Sequence, residues 1–216
     1  MRLVFNDVKL LHIIAGVFPI AATLACWALY YGIPHSKGER LRTISETVVF
    51  FPENRIFAVA MTVESLLLLV IYRIRNEAIK QVTKSSTLVL QILAYLMPTG
   101  LTVLSCVTLF DHKLIHLIGA TVFFMGNVVY FLISDRLIVK AGFKLGKISQ
   151  LITYIILIPF FGHLYFTNAY PYNIPLYNIG SVFQYTLAIL IFVKILLCLG
   201  DCPKRSVELG KPEKEQ

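Results

Sequence analysis

The chain has 216 residues, 57% of them hydrophobic, with 20 Lys+Arg against 12 Asp+Glu and a formal charge of +8. With a mean hydropathy of +0.73, that composition excludes a soluble globular domain, a disordered chain, a disulfide-stapled module and a nucleic-acid binder. A membrane-spanning helix takes about 20 apolar residues, so six spans would use nearly all the apolar content and leave little for a second domain.

Six runs with few or no charges follow one another, at about 10–32, 56–72, 87–109, 114–134, 149–167 and 177–199. They predict an all-α polytopic membrane protein with one six-helix transmembrane domain over 1–199 and a tail at 200–216. Arg2 and Lys9 precede the first run as they would in a secretory signal. That run is too long, contains Pro19 and Trp27, and lacks a clean cleavage site, so it is expected to remain as a helix. Charged and turn-rich stretches separate the runs: Gly32 to Arg55, Arg73 to Ser86, Asp111-His112-Lys113, Asp135 to Ile148 and Asn168 to Leu176. With both termini cytosolic, 14 Lys/Arg fall inside and 5 outside (Lys37, Arg40, Arg42, Arg55, Lys113), so that orientation is the expected one. The inside clusters, Arg73 to Lys84 and Arg136 to Lys147, would also attract anionic lipid. The uncharged last outer loop, Asn168 to Pro175, is expected at headgroup level as a short lid.

Several polar residues stand out against this background. Glu64 lies about two turns into the second span, where a carboxylate is costly; it should face the bundle interior, hydrogen-bonded to a neighbouring helix or binding a substrate or headgroup. His116, His163 and Gln184 fall at the same outer level on three other spans. His112 and His116 have metal-ligand spacing, but two ligands do not make a site, and no metal is expected. Ser45, His163 and Asp111 would supply the residue types of a hydrolytic triad; without a nucleophile elbow that chemistry is not favoured. His12 and Lys194 lie near the cytosolic ends of their spans, and the Lys194 stem can reach cytosolic headgroups. Cys198 and Cys202 share a helix face at the membrane edge, as either acylation sites or inert small hydrophobes. There is no N-x-[ST] sequon.

The first outer loop is the most informative segment. Ile44-Ser45-Glu46-Thr47, a short gap, Pro52-Glu53 and the aromatic Phe57 opening the second span resemble a signature of the Frag/DRAM/Sfk family of six-span proteins. His116 to Ala120 with Val128 to Tyr130 is similar to that family's fourth span, and Tyr177 to Asp201 to its sixth. The spacing from Ser45 to Phe57 is more similar to the post-GPI-attachment-to-proteins factor two and Cwh N-terminal-like branch than to the autophagy modulators. Two departures stand out: Gln184-Tyr185 replaces the usual Glu followed by Tyr or Trp, and Glu64-Ser65 replaces a Pro-Arg.

The resemblance implies a lipid-handling bundle of the endoplasmic reticulum or Golgi, with the lysosome or plasma membrane as other destinations. Its lumenal end would reacylate a lyso-GPI anchor, or present that lipid to a partner enzyme. Candidate lipid or headgroup contacts are Ser45, Thr47, Glu53, Arg55, Glu64, His116, His163 and Gln184, with Arg40, Arg42 and Arg55 as phosphate donors. No cofactor is expected; the partners are membrane lipids, GPI anchors among them, and proteins of the secretory pathway. The competing class is a non-enzymatic regulator of autophagy or phosphoinositide signalling. A transporter ranks third, since no inverted repeat with broken helices is evident.

Overall fold

In a computed structural model, the described residues are 5–33, 40–83 and 87–201, with side chains described from residue 8 onward. They form α1 (Phe5–Gly32), α2 (Ile44–Thr47), α3 (Glu53–Val82), α4 (Leu88–Cys106), α5 (Lys113–Lys140), α6 (Lys147–Ile155), α7 (Leu157–Ala169) and α8 (Ile174–Asp201). Six helical stretches are long and apolar enough to cross a membrane, α6 and α7 counting as one, and no strand occurs among the described residues. The α6–α7 break falls at Ile156, three residues before Pro159. Proline has no N–H to give the carbonyl one turn back and its ring crowds that carbonyl, so the helix is interrupted there.

The helices pack as a ring in the order α1, α3, α4, α5, α6–α7, α8 and back to α1. Inward faces meet around Met61, Leu68, Phe123, Phe131, Leu187 and Ile191, all buried, while Leu10, Val59, Leu66 and Ile158 point outward. The α4–α5 seam is the tightest. A Cβ at Gly100 would stand 2.8 Å from the Gly119 carbonyl oxygen, and one at Gly119 would stand 2.8 Å from the Leu104 nitrogen. Only glycine at both positions allows the backbones to come so near.

The spans differ from the apolar runs mainly at their charged ends. Helix α3 continues to Val82 and α5 to Lys140, so Arg73, Arg75, Asp135 and Arg136 are helical rather than loop residues. The reason is that Arg75 and Asp135 point inward and pair with each other at 3.0 Å, so their charge need not leave the bundle. Helix α4 stops at Cys106. The link after it is closed by Thr108 and Asp111: the Thr108 N–H donates to Asp111 Oδ2 at 3.1 Å, and the Asp111 N–H to Thr108 Oγ1 at 3.2 Å. Hydrogen bonds from Thr108 hold the Asp111 carboxyl below its ordinary range. The expected lid at 168–175 is only a turn, since α7 runs to Ala169 and α8 starts at Ile174.

Candidate functional site

The lid is instead the first loop. Thr43 caps α2 through the Thr-x-x-Glu box: the Glu46 N–H donates to Thr43 Oγ1 at 3.3 Å, and the Thr43 N–H donates to Glu46 Oε2 at 2.9 Å. Glu46 does more than cap. It accepts from Arg40 Nη2 at 2.7 Å, from Arg42 Nη1 at 3.4 Å and from the Tyr177 hydroxyl at 3.0 Å, and Arg40 lies over the Tyr177 ring at 4.4 Å.

Helix α8 holds the rest of the loop by its backbone. Asn178 Oδ1 accepts from the Leu41 N–H at 2.8 Å, and the Ser181 hydroxyl donates to the Leu41 carbonyl at 2.9 Å. The Tyr185 hydroxyl donates to the Arg42 carbonyl at 3.2 Å, and the Arg42 N–H donates to the Tyr31 hydroxyl on α1 at 3.1 Å. Gln184 Oε1 accepts from the Ile44 N–H at 2.7 Å. These partners satisfy main-chain groups that an unstructured loop would offer to water, so the segment is docked in a fixed register.

Two histidines lie beneath it. His163 Nδ1 contacts the Gly180 carbonyl at 3.0 Å, and Gln184 Nε2 stands 3.4 Å from His163 Nε2. A carbonyl only accepts, so Nδ1 carries the proton and Nε2 is the acceptor for the Gln184 amide. His116 follows the same logic: Nδ1 reaches the Val107 carbonyl at 2.8 Å, which leaves Nε2 to accept from the Ser45 hydroxyl at 2.8 Å. Ser45 therefore pairs with His116, whereas His163, the histidine of the disfavoured triad, is turned to α8. Asp111 is committed to its own turn. His112 Nδ1 caps α5 by accepting from the Ile115 N–H at 3.4 Å, so the His112 and His116 nitrogens serve other partners and do not converge as a ligand pair.

The remaining candidates are dispersed. Thr47 is buried and its hydroxyl donates to the Ile44 carbonyl at 2.8 Å. Glu53 is buried at the start of α3, where Cys26 Sγ donates to its carbonyl at 3.6 Å. Arg55 is exposed and lines an apolar groove of about 670 Å³ between α1 and α3, with Phe18, Ala21 and Val59. Arg40 and Arg42 both pair with the single carboxylate of Glu46 and stay partly exposed, so one positive charge remains uncompensated within this trio. Glu64 is fully buried, but neither carboxylate oxygen has a hydrogen-bond partner. The expected interhelical hydrogen bond is absent.

Under the lid runs an apolar seam. One cavity of about 30 Å³ is lined by Ser45, Gln184, Met61, Leu104 and Phe123. A second, also about 30 Å³, follows between α1 and α8 past Ile20, Leu24 and Ile189. They share the lining residues Thr23, Ile44, Ala188 and Phe192, so the two lie side by side, the first walled by Ser45 and the second by the outward-facing Leu24 and Ile189.

A second polar cluster, at the end of the bundle where α1 begins and α8 ends, escaped the sequence reading. Lys194 is fully buried, with Nζ 2.7 Å from Asp135 Oδ2 and 3.7 Å from Asp201 Oδ2. Arg75 holds the other oxygen of Asp135, Thr153 donates to Asp135 at 2.7 Å, and Ser149 donates to Asp201. Lys194 therefore does not reach headgroups; two buried carboxylates hold it inside. A pocket of about 220 Å³ between α5 and α6 opens onto this cluster, lined by Asp135, Arg136, Lys140 and Thr153. His12, also buried, bonds within its own turn to the Val8 carbonyl at 2.8 Å. Cys198 is buried against the bundle, which removes it as an exposed acylation site; Cys202 lies outside the described residues. Opposite charges just beyond the apolar runs of three different spans were the available signal.

A family model described as the Frag1/DRAM/Sfk1/Cwh43P N-terminal domain matches residues 7–204. No curated protein and no solved structure matches the chain.

Proposed function

The chain belongs to the Frag1/DRAM/Sfk1/Cwh43 N-terminal domain family of multi-pass membrane proteins, and from that premise we propose that it handles lipid at its first-loop end, in remodelling of the lipid part of GPI anchors. Reacylation of a lyso-GPI, or presentation of that lipid to a partner enzyme, is the task. The observation that carries the reading is the docked loop: Tyr177 holds Glu46 and Gln184 holds the Ile44 N–H, which sets Ser45 at the wall of the first of two adjacent apolar cavities, the second lying between α1 and α8. A loop serving only as a spacer would not need its main chain held by side chains of two spans. Polar headgroup above and acyl chain below is the division of surface that a membrane lipid presents.

The Lys/Arg asymmetry supports cytosolic termini and a first loop on the opposite side; residence in the endoplasmic reticulum or Golgi follows from the proposed role, since GPI lipids are processed there. The test is lipid analysis of GPI-anchored proteins from cells lacking the chain. Accumulation of lyso-GPI or of unremodelled acyl chains, restored by re-expression, is the expected result; an unchanged GPI-lipid profile overturns the reading.

A further inference from the structure

We propose that Ser45 and His116 form a nucleophile and general-base pair that takes up an acyl group from an ester lipid. The substrate class rests on the reading above; the pair itself rests on geometry. Three observations converge. Ser45 Oγ lies 2.8 Å from His116 Nε2, within reach for proton transfer. The Val107 carbonyl at 2.8 Å from Nδ1 holds the neutral imidazole in the one tautomer whose Nε2 can take a proton. Ser45 is half-buried and lines the first apolar cavity, whereas His116 is buried and does not line it, so the hydroxyl and not the imidazole meets the substrate.

The step balances without a further reagent. Ser45 Oγ attacks the ester carbonyl carbon while its proton passes to His116 Nε2, giving a tetrahedral intermediate. That intermediate collapses by breaking the bond to the alcohol oxygen, which leaves with the proton from Nε2, and the acyl group stays on Ser45. The hydroxyl of a second, acyl-poor lipid then attacks the acyl-serine, its proton going to Nε2 and from there back to Ser45. The products are an acylated acceptor and a deacylated donor. Gln184 lines the same cavity, and its amide carries a second N–H beyond the one directed to His163, available to the carbonyl oxygen as charge develops. Each cavity is small, so an acyl chain fits only when α1 and α8 side chains such as Leu24 and Ile189 move apart.

The test uses the full chain in lipid nanodiscs and a serine-reactive fluorophosphonate probe, read by peptide mass spectrometry. Labelling at Ser45 is expected, absent in Ser45→Ala and slowed about 100-fold in His116→Asn, the order of contribution of a general base. Thermal melting of both variants near that of wild type separates loss of reactivity from loss of fold. Absence of probe on Ser45 in well-folded wild type, or an unchanged labelling rate in folded His116→Asn, overturns the pair. Should Ser45 label as described while cells lacking the chain keep a normal GPI-lipid profile, the pair stands and the assignment to GPI lipid falls.

Discussion

Lys194 Nζ on α8 lies 2.7 Å from Asp135 Oδ2 on α5, both buried, so a salt bridge ties two spans that share little other contact. Arg75 reaches the same carboxylate from α3 at 3.0 Å, making Asp135 the junction of three helices. Two cations and two carboxylates, Asp201 being the second, balance in charge.

Removing one member leaves the rest uncompensated. Lys194→Met leaves Asp201 without its cation, and a broken buried pair costs about 3–5 kcal/mol. The variant is expected to melt well below wild type in detergent, whereas Lys194→Arg, which keeps the charge, should lose less. Equal melting of Lys194→Met and wild type would show the network to be energetically idle.

Glu46 is expected to govern the mobility of the first loop. Its carboxylate accepts from Arg40, Arg42, Thr43 and Tyr177, and hydrogen bonds to a charged group are worth about 1.5–3 kcal/mol each. Loss of even one such bond corresponds to at least a tenfold rise in local opening. Hydrogen exchange of amides 41–47 should therefore accelerate at least tenfold in Glu46→Ala, while amides of α4 and α5 remain protected. Uniform exchange across wild type and variant would mean that α8 alone holds the loop.

The six spans, and a common level for His116, His163 and Gln184, were legible because hydropathy and position along a span act locally. The pairings within that level were not. Which histidine Ser45 would meet depends on the turn at Thr108 and Asp111, which sets the height of His116, and on His163 being turned toward Gly180. Glu46 was within reach of sequence reasoning, since Thr43-Ile44-Ser45-Glu46 is a capping box, but its second role with Tyr177 joins residues 131 apart. Arg75 and Asp135 read as cytosolic loop charges, and Lys194 as a span residue reaching out to headgroups, because hydropathy scores each span alone; mutual neutralisation appears only when three spans meet.

The α4–α5 seam should not tolerate a side chain. At Gly100 the atoms that a methyl would meet are backbone atoms of Gly119 and Phe123, at 2.8 and 2.9 Å, and cannot rotate away. Gly100→Ala is expected to destabilise by about 1–3 kcal/mol, as overpacking does, read as a lower melting temperature. Gly200, with nothing within 4 Å of the added carbon, is the matched control, and Gly200→Ala should melt no lower than wild type.

Topology is open to direct labelling. An impermeant reagent applied to the lumenal side should reach a tag inserted at Lys37, and a tag at Gln216 or between Thr83 and Thr87 should be protected. Labelling of the Gln216 tag in sealed vesicles of known orientation would reverse the assignment drawn from the Lys/Arg bias.

Glu64 supplies the sharpest contrast between stability and function. Sequence reasoning expects Glu64→Leu to strand an interhelical partner and lower stability. The structure reverses that sign, because neither oxygen of the buried carboxyl has a hydrogen-bond partner to strand. An unsatisfied buried polar group costs about 1–3 kcal/mol, so Glu64→Leu should melt at or above the wild-type temperature, and Glu64→Gln, which keeps the polar burden, should melt close to it. Under the proposed role, rescue of the GPI-lipid profile by each variant in cells lacking the chain supplies the second axis. Raised stability with lost activity in Glu64→Leu, and loss also in Glu64→Gln, is the expected pattern for a carboxylate kept for what it binds or protonates. Full activity in both variants would remove Glu64 from the working surface, and a lower melting temperature in Glu64→Leu would reveal a partner of the carboxylate.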